Sequence, residues 1–311
     1  MSNIVTTGES GNSGSTLSSW NRSRTRSAFI FLLPWIFSLI VFWHGPILYT
    51  IVLSFMRYRF IGGGSFIGLD NYIKIFQDQF FWTGIKNTAI YIAMYVPGMF
   101  VMSLFTAYLI SMDIKMKGLW RSLLYVPSVI PVLAVLVLGK FIFFPEGLVN
   151  IVLGVFGVDG PLWLSDPRLI KPAAVLIMLW RCGEGMVVYL AALRGVPSMY
   201  YEVADIDGLS KPKQFLKITL PLISPTIFFR VIVDTILGLM VFIPGLVLPA
   251  GNVPGGPGMS SRFYALHLYE KAFQRFNLGE AASLATVLIF VSFALTVVIM
   301  RGSKRFVHYE V

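Results

Sequence analysis

Six long apolar stretches, separated by more polar segments, constrain what this chain can fold into. Each stretch is close to the roughly 20 residues that a helix needs to cross a hydrocarbon core of about 30 Å. Because backbone polar groups in lipid must form hydrogen bonds within their own segment, the stretches are predicted to be helices. The sequence therefore predicts an all-α integral membrane protein, a bundle of six transmembrane helices. The predicted spans are residues 28–55, 88–111, 120–142, 172–193, 226–247 and 281–300.

The composition excludes a soluble globular protein. Of 311 residues, 56% are hydrophobic and only 13% are charged, whereas about a quarter of the residues in soluble domains are charged. With the N-terminus in the cytoplasm, Lys and Arg are more numerous in the inside segments than in the longer outside loops. The net charge of +10 is therefore interpreted as a topology signal that places both termini in the cytoplasm. No nucleic-acid partner is expected.

Motifs for catalysis or nucleotide binding are absent from the sequence. It contains no Gly-x-x-x-x-Gly-Lys-Ser/Thr, no His-Glu-x-x-His, no Gly-x-Ser-x-Gly and no Cys/His metal spacing. Cys182 is the single cysteine, and a small buried filler is the role expected for it. We therefore predict no catalytic residue, no metal site and no cofactor. The chain is not expected to be an enzyme, so energy for any active process must come from a partner.

The most polar loop between the apolar stretches covers residues 198–221. Ser198 follows a proline and is a good N-cap, so a short helix is predicted to begin there. Gly208 can take the positive φ that ends such a helix, and Ser210 and Pro212 suit the start of a second one. The expected structure is a helix, a glycine hinge and a helix. On charge alone, this hairpin could be any charged connection between membrane helices.

The spacing of particular residues in the loop is more specific than its charge. Glu-x-Ala, three residues, Gly, nine residues and Ile-x-Leu-Pro resembles the EAA loop of the membrane subunits of binding-protein-dependent ABC importers of the sugar type. Phe66 to Tyr72 and Gly255-Gly256-Pro257 are similar to segments at the same places in that family, and the likeness covers about residues 28–301. Val203 stands where the family usually has alanine. The residues that carry the pattern are Glu202, Ala204, Gly208, Ile218, Leu220 and Pro221.

The resemblance implies the fold of a type I ABC importer permease, in a bacterial or archaeal inner membrane. Residues 28–301 would form the permease domain, with a coupling loop at residues 198–221 that docks on a separate ATPase. Residues 1–27, rich in Ser, Gly, Thr and Asn, would be a disordered cytoplasmic tail, and residues 302–311 a second cytoplasmic tail. The implied partners are a second permease subunit, two ATP-binding cassette subunits at the cytoplasmic face, an extracytoplasmic solute-binding protein and the lipid bilayer.

Charged residues within the spans are costly, about 2.5–3.5 kcal/mol for an Arg at mid-bilayer on insertion scales. Arg181 is deep in the fourth span, and Glu184 shares its helix face three positions later, so the two are expected to neutralise each other. They form either a structural ion pair or part of the wall of a translocation cavity. Arg230 and Asp234 form a similar pair in the fifth span, where Arg230 is expected to snorkel to the nearby membrane surface. Arg181, Glu184 and Asp234 are the candidate residues of the translocation pathway.

Three functions remain compatible with the sequence. The leading one is the import of a sugar or oligosaccharide by alternating access, driven through the coupling loop by a separate ATPase. The second keeps this machinery but transports glycerol phosphate or another polar metabolite, in which case Arg181 would bind the anion. The third is a self-contained secondary transporter or channel. That class would require internal repeats or broken helices in matching halves, and no clear repeat is visible.

Overall fold

The computed structural model describes residues 30–59 and 63–303. The predicted tail at residues 1–27 lies outside the described residues, as do residues 304–311 of the second tail. The chain divides into two units, residues 1–52 and 53–311. The first contains most of the first helix, and the second contains all the other described helices and strands.

Six membrane-crossing segments can be counted, as predicted. Four are helices long and apolar enough to cross a membrane: span 1 (Ile30–Ser54), span 2 (Gln79–Ser111), span 5 (Ser224–Val247) and span 6 (Leu278–Ser303). The other two are bent pairs. Span 3 joins Lys117–Val129 to Val132–Ile142 at 99°, and span 4 joins Ile170–Leu179 to Gly183–Gly195 at 52°. The helical membrane bundle is confirmed, but the prediction that spans 3 and 4 are continuous was wrong.

The bends have different origins. Span 3 breaks at Ile130 and Pro131, where proline removes a backbone N–H and disfavours a helical conformation in the residue before it. Span 4 breaks across Trp180, Arg181 and Cys182 without a proline. Span 5 contains a shorter interruption, since its helix ends at Leu239 and resumes at Ile243. The three irregularities interrupt the helical backbone within spans 3, 4 and 5.

The connecting segments contain short elements. A two-stranded antiparallel hairpin, β1 (Met56–Arg59) and β2 (Gly63–Phe66), was not predicted and contains the only strands in the described residues. Two of the three π-helical segments in the described residues lie shortly before a proline, which cannot donate a helical hydrogen bond: Leu39–His44 precedes Pro46, and Phe215–Thr219 precedes Pro221, whereas Glu270–Gln274 has no proline nearby. The remaining helices are Asp70–Gln77, Leu148–Val155, Ser198–Ile206, Lys211–Gln214, Leu220–Leu222, Ala250–Asn252, Pro257–Met259, Tyr264–Tyr269 and Glu270–Gln274.

Span 2 is the central helix of the second unit. It begins at Gln79, nine residues before the predicted start, because Asp78 caps it: its Oδ1 accepts a hydrogen bond of 2.8 Å from the N–H of Phe80. Its 33 residues extend about 50 Å, well beyond a hydrocarbon core of about 30 Å. The predicted span, residues 88–111, covers only the C-terminal part of this helix.

Span 2 packs against both halves of span 4 and against span 5. Small residues bring these helices close together, as is common in membrane bundles. A Cβ at Gly185 would lie 2.4 Å from the Oγ of Ser103, and one at Gly183 would lie 2.6 Å from the carbonyl oxygen of Leu124 in span 3. Cys182 is buried beside these contacts, in agreement with the role expected for it. The packing fixes the broken part of span 4 against spans 2 and 3.

Candidate functional site

The predicted hairpin between spans 4 and 5 is present. Its first helix, Ser198–Ile206, ends in a Schellman motif: the N–H of Leu209 donates to the carbonyl of Ala204 (2.9 Å), and the N–H of Gly208 donates to that of Asp205 (3.1 Å). Gly208 has the predicted positive φ, +70°. The predicted N-cap at Ser198 was wrong. The helix starts at Ser198 itself, and Pro197 occupies the cap position, where it provides no side-chain hydrogen bond.

A polar brace holds the two helices of the hairpin together. Asp205 accepts hydrogen bonds through Oδ1 from Nζ of Lys211 (2.8 Å) and Nε2 of Gln214 (2.6 Å), and Gln214 also donates to the carbonyl of Leu209 (2.9 Å). These bonds from Lys211 and Gln214 hold the pKa of the exposed Asp205 below its ordinary value. Gln214 is only 2% exposed. Its amide is therefore the buried anchor of the brace, beside an ion pair that faces solvent.

The first helix of the hairpin turns apolar side chains outwards. Met199, Tyr200, Val203 and Ile206 are exposed, Ile206 to 85%, and we call these four residues the coupling surface. Among the residues singled out from the sequence, Ala204 is buried, Glu202 is exposed beside the coupling surface, and Ile218, Leu220 and Pro221 are partly buried in the second half of the hairpin. A hydrogen bond of 2.8 Å between the hydroxyls of Tyr201 and Thr219 joins the two halves.

A cavity of about 320 Å³ lies among spans 2, 3, 4 and 5. It brings together the three candidate pathway residues, Arg181, Glu184 and Asp234, and adds Arg230. Tyr91 and Tyr95 of span 2 line it with stacked rings, 5.3 Å apart and inclined by 15°. The interrupted part of span 5 supplies apolar lining. The residues that complete the wall are Met99, Val132, Met178, Leu237, Met240, Val241, Phe242, Ile243 and Pro244.

Arg181 does not pair with Glu184, contrary to prediction. Its guanidinium donates instead to the carbonyls of Pro127, Ser128 and Ile130, at 3.4 Å for Pro127 and 2.9 Å for Ser128. These carbonyls end the first half of span 3, where the break leaves them without helical donors. The Oγ of Ser128 donates to the carbonyl of Arg181 in return (3.2 Å). Arg181 therefore ties the breaks of spans 3 and 4 together, because a broken helix in a membrane needs hydrogen-bond donors.

The second intramembrane pair forms as predicted, but it lies in a different environment. Nη2 of Arg230 donates to Oδ1 of Asp234 at 2.7 Å, and both side chains are at least nine-tenths buried. Arg230 therefore does not snorkel to the membrane surface, because its partner is one helical turn further into the span. Glu184 is exposed in the cavity, and within residues 30–59 and 63–303 no hydrogen bond or ion pair involves its carboxyl group.

The sequence of the second unit matches a known family of membrane transport proteins over most of its length. Residues 99–303 match the family described as "Binding-protein-dependent transport system inner membrane component". The chain belongs to this family. The match includes the whole hairpin and both intramembrane arginines. Membership makes the chain an inner membrane permease component of an ABC importer and not an enzyme; ATP hydrolysis resides on a separate subunit.

Similar proteins agree with this assignment. The chain is 32% identical to the probable ABC transporter permease YesP of Bacillus subtilis, over 93% of this chain and 94% of YesP. It is also 32% identical to the lactose transport system permease LacF of Rhizobium radiobacter, over 88% and 92% of the two chains. A bacterial ABC transporter that imports the acidic polysaccharide alginate has the same fold, with a TM-score of 0.78 at 24% identity, over 94% of this chain and 100% of that one.

Broken helices, which were the expected mark of a secondary transporter, do not separate that class from a permease. They occur here in spans 3 and 4, and family membership decides between the two. Two features of the permease were missed in the sequence. The break at Pro131 could have been predicted from the proline within the third apolar stretch, whereas the anchoring role of Gln214 has no local sequence signal. No group of metal-ligating side chains occurs in the described part of the chain.

Proposed function

We propose that this permease imports a sugar or oligosaccharide by alternating access, as one of two transmembrane subunits that bind two ATP-hydrolysing subunits. The names of its relatives support the solute class: lactose for LacF, and arabinooligosaccharides for AraP of Bacillus subtilis, which is 28% identical over 91% of this chain. An extracytoplasmic binding protein would deliver the solute, in accordance with the name of the family. Both termini would then be cytoplasmic, with the hairpin on the same side.

The observation that carries the proposal is the exposed coupling surface on a braced hairpin. Large apolar side chains exposed together usually mark a protein interface, and here they occupy one short helix whose other side is held by Ala204 and Gln214. Glu202 lies beside this surface and would fix the register on the ATPase. Gly208, Ile218, Leu220 and Pro221 would set the angle between the helices. A rigid hairpin of this kind can transmit a displacement to spans 4 and 5, which it connects.

The solute would pass through the cavity. Its wall combines stacked tyrosine rings with four charged groups, and a mostly apolar site with a few polar groups is typical of small-molecule binding. The broken spans 3 and 4 and the interrupted span 5 all contribute to this wall. Discontinuous helices at mid-membrane are a recurring feature of transport pathways. Arg181, Glu184 and Asp234 are proposed to line the pathway.

Ile206→Asp tests the coupling role. The substitution changes a residue that is 85% exposed, so the permease should be produced in the membrane with an unchanged melting temperature. In the assembled importer, we expect at least about a tenfold loss of ATP-driven uptake, because a buried interface would have to accept an unpaired charge. The ATPase subunits should also be recovered in smaller amounts with the purified permease.

Leu216→Asp is the matched control, since Leu216 is an exposed apolar residue of the hairpin that is not part of the coupling surface. It should leave uptake and the recovery of the ATPase subunits close to wild-type values. Wild-type uptake by the Ile206 variant would contradict the proposed role of the coupling surface.

A further inference from the structure

The cavity wall contains two arginines and two carboxylates, but these four charged groups are not equally free to contact a solute. This difference bears on the proposed function. The guanidinium of Arg181 is directed to three backbone carbonyls, and that of Arg230 to Asp234. Both arginines therefore have structural partners that a solute would have to displace. Glu184 has none among the described residues and is exposed on the wall. The charged group that a solute can reach without breaking an existing contact is a carboxylate.

A carboxylate in this position has two effects on a solute. It accepts hydrogen bonds from hydroxyl groups, and such charge-assisted bonds are stronger than neutral ones. It also repels negative charge, and repulsion within a partly enclosed cavity is screened less than at an open surface. Phosphate, sulfonate or carboxylate groups on the solute would meet Glu184 while the two arginines remain engaged elsewhere.

Given the proposed function, we infer that Glu184 makes the cavity select against anionic solutes, and that the transported saccharide is uncharged. The fold alone does not impose this selectivity, because the solved alginate transporter has the same fold and imports an acidic polysaccharide. Side chains of the wall must therefore set the charge preference. The alternative solute considered above, glycerol phosphate, is disfavoured for the same reason.

Charged thiol reagents can measure the sign of the potential in the cavity without knowledge of the solute. Met240 lines the cavity and is well exposed, so Met240→Cys introduces a reporter, and Cys182→Ala removes the native thiol. The assembled importer in lipid nanodiscs would be treated with a cationic trimethylammonium-ethyl or an anionic sulfonatoethyl methanethiosulfonate. The two rates would each be divided by the rate for a free thiol in solution.

We expect the cationic reagent to react faster after this correction. Glu184→Gln should lower the ratio of cationic to anionic rates by about tenfold, because removal of one nearby charge slows one reagent and accelerates the other. Glu184→Asp retains the charge and should keep most of the preference. Glu146→Gln removes an exposed carboxylate from outside the cavity wall and should leave the ratio unchanged.

The possible outcomes separate this inference from the proposed function. A reporter that reacts without charge preference, or whose ratio does not change in Glu184→Gln, would overturn the role of Glu184 and leave the pathway intact. A reporter that reacts with neither reagent, with or without ATP, would show that the cavity is closed to water and would contradict the pathway itself. In the expected case, the preference of the wild-type cavity should also weaken as salt is added.

Discussion

The coupling hairpin and the cavity place charged and apolar side chains in opposite ways. In the hairpin, Asp205 and Lys211 pair in solvent, and the apolar coupling surface is exposed next to them. In the cavity wall, Arg230 and Asp234 pair out of contact with solvent, and Arg181 binds the carbonyls of a broken helix. Exposed ion pairs contribute little to stability, whereas breaking a buried pair leaves an uncompensated charge, so we expect the hairpin to tolerate loss of its exposed charges better than the cavity tolerates loss of Asp234 or Arg230 alone. Substitutions should therefore affect docking in the hairpin and stability in the cavity.

The largest effect is expected from Asp234→Ala. The substitution leaves the guanidinium of Arg230 buried without a partner, and breaking a buried ion pair in this way costs about 3–5 kcal/mol. The melting temperature of the purified permease and its yield in the membrane should both fall strongly. The double variant Arg230→Met/Asp234→Leu removes both charges and should recover most of the loss. Normal stability of the single variant would show that water or another group solvates Arg230.

A somewhat smaller effect is expected at Arg181. Arg181→Leu removes the donors for the carbonyls of Pro127, Ser128 and Ile130, and about 2–3 kcal/mol should be lost, since each unsatisfied buried group costs about 1–3 kcal/mol and water can replace part of the interaction. Arg181→Lys keeps the charge but can serve fewer carbonyls at once, so it should fall between the Leu variant and the wild type. Melting temperatures in detergent measure this order. Equal values for Leu and Lys would indicate that charge, and not the hydrogen bonds, is what Arg181 contributes.

The hairpin was predictable from the sequence to a much greater extent than the cavity. Its first helix ends at Ile206, and Gly208, just after the C-cap, takes the positive φ that closes the helix. Glycine adopts this conformation at little cost, so this helix end is visible in the local sequence. The partners of Arg181 come from a different span, more than 50 positions away. Helical spacing suggested Glu184 as the partner, and the break in span 4 invalidated that spacing. Long-range pairing of this kind depends on how the spans pack, which hydrophobic periodicity does not specify.

Gln214 is the part of the hairpin that only the structure identifies, and Gln214→Ala should have an intermediate effect. Loss of its bonds to Asp205 and the carbonyl of Leu209 should destabilise the hairpin by about 1–2 kcal/mol. The melting temperature of the bundle should change little, because the brace lies outside it. Hydrogen exchange at the amides of Gly208 and Leu209 should accelerate by about tenfold. Unchanged exchange would indicate that the Schellman motif is stable without the brace.

The smallest effect is expected from removal of the charge of Asp205. This substitution tests the exposed ion pair of the brace, whereas Gln214→Ala tests its buried amide. The hydrogen bonds from Lys211 and Gln214 lower the pKa of Asp205 in the folded hairpin. The ionised carboxylate therefore contributes to the stability of the hairpin at pH values above its unfolded pKa of 3.8. This contribution is lost as the pH falls through the lower pKa of the folded state. Asp205→Asn keeps an acceptor without the charge. Amide exchange at Leu209, corrected for its intrinsic pH dependence, should be slightly faster in this variant than in the wild type at pH 7, and the difference should vanish in acid. A difference that persists below the folded pKa would mean that Asn disturbs the geometry of the brace, and that the ionised carboxylate is not what holds the two helices together.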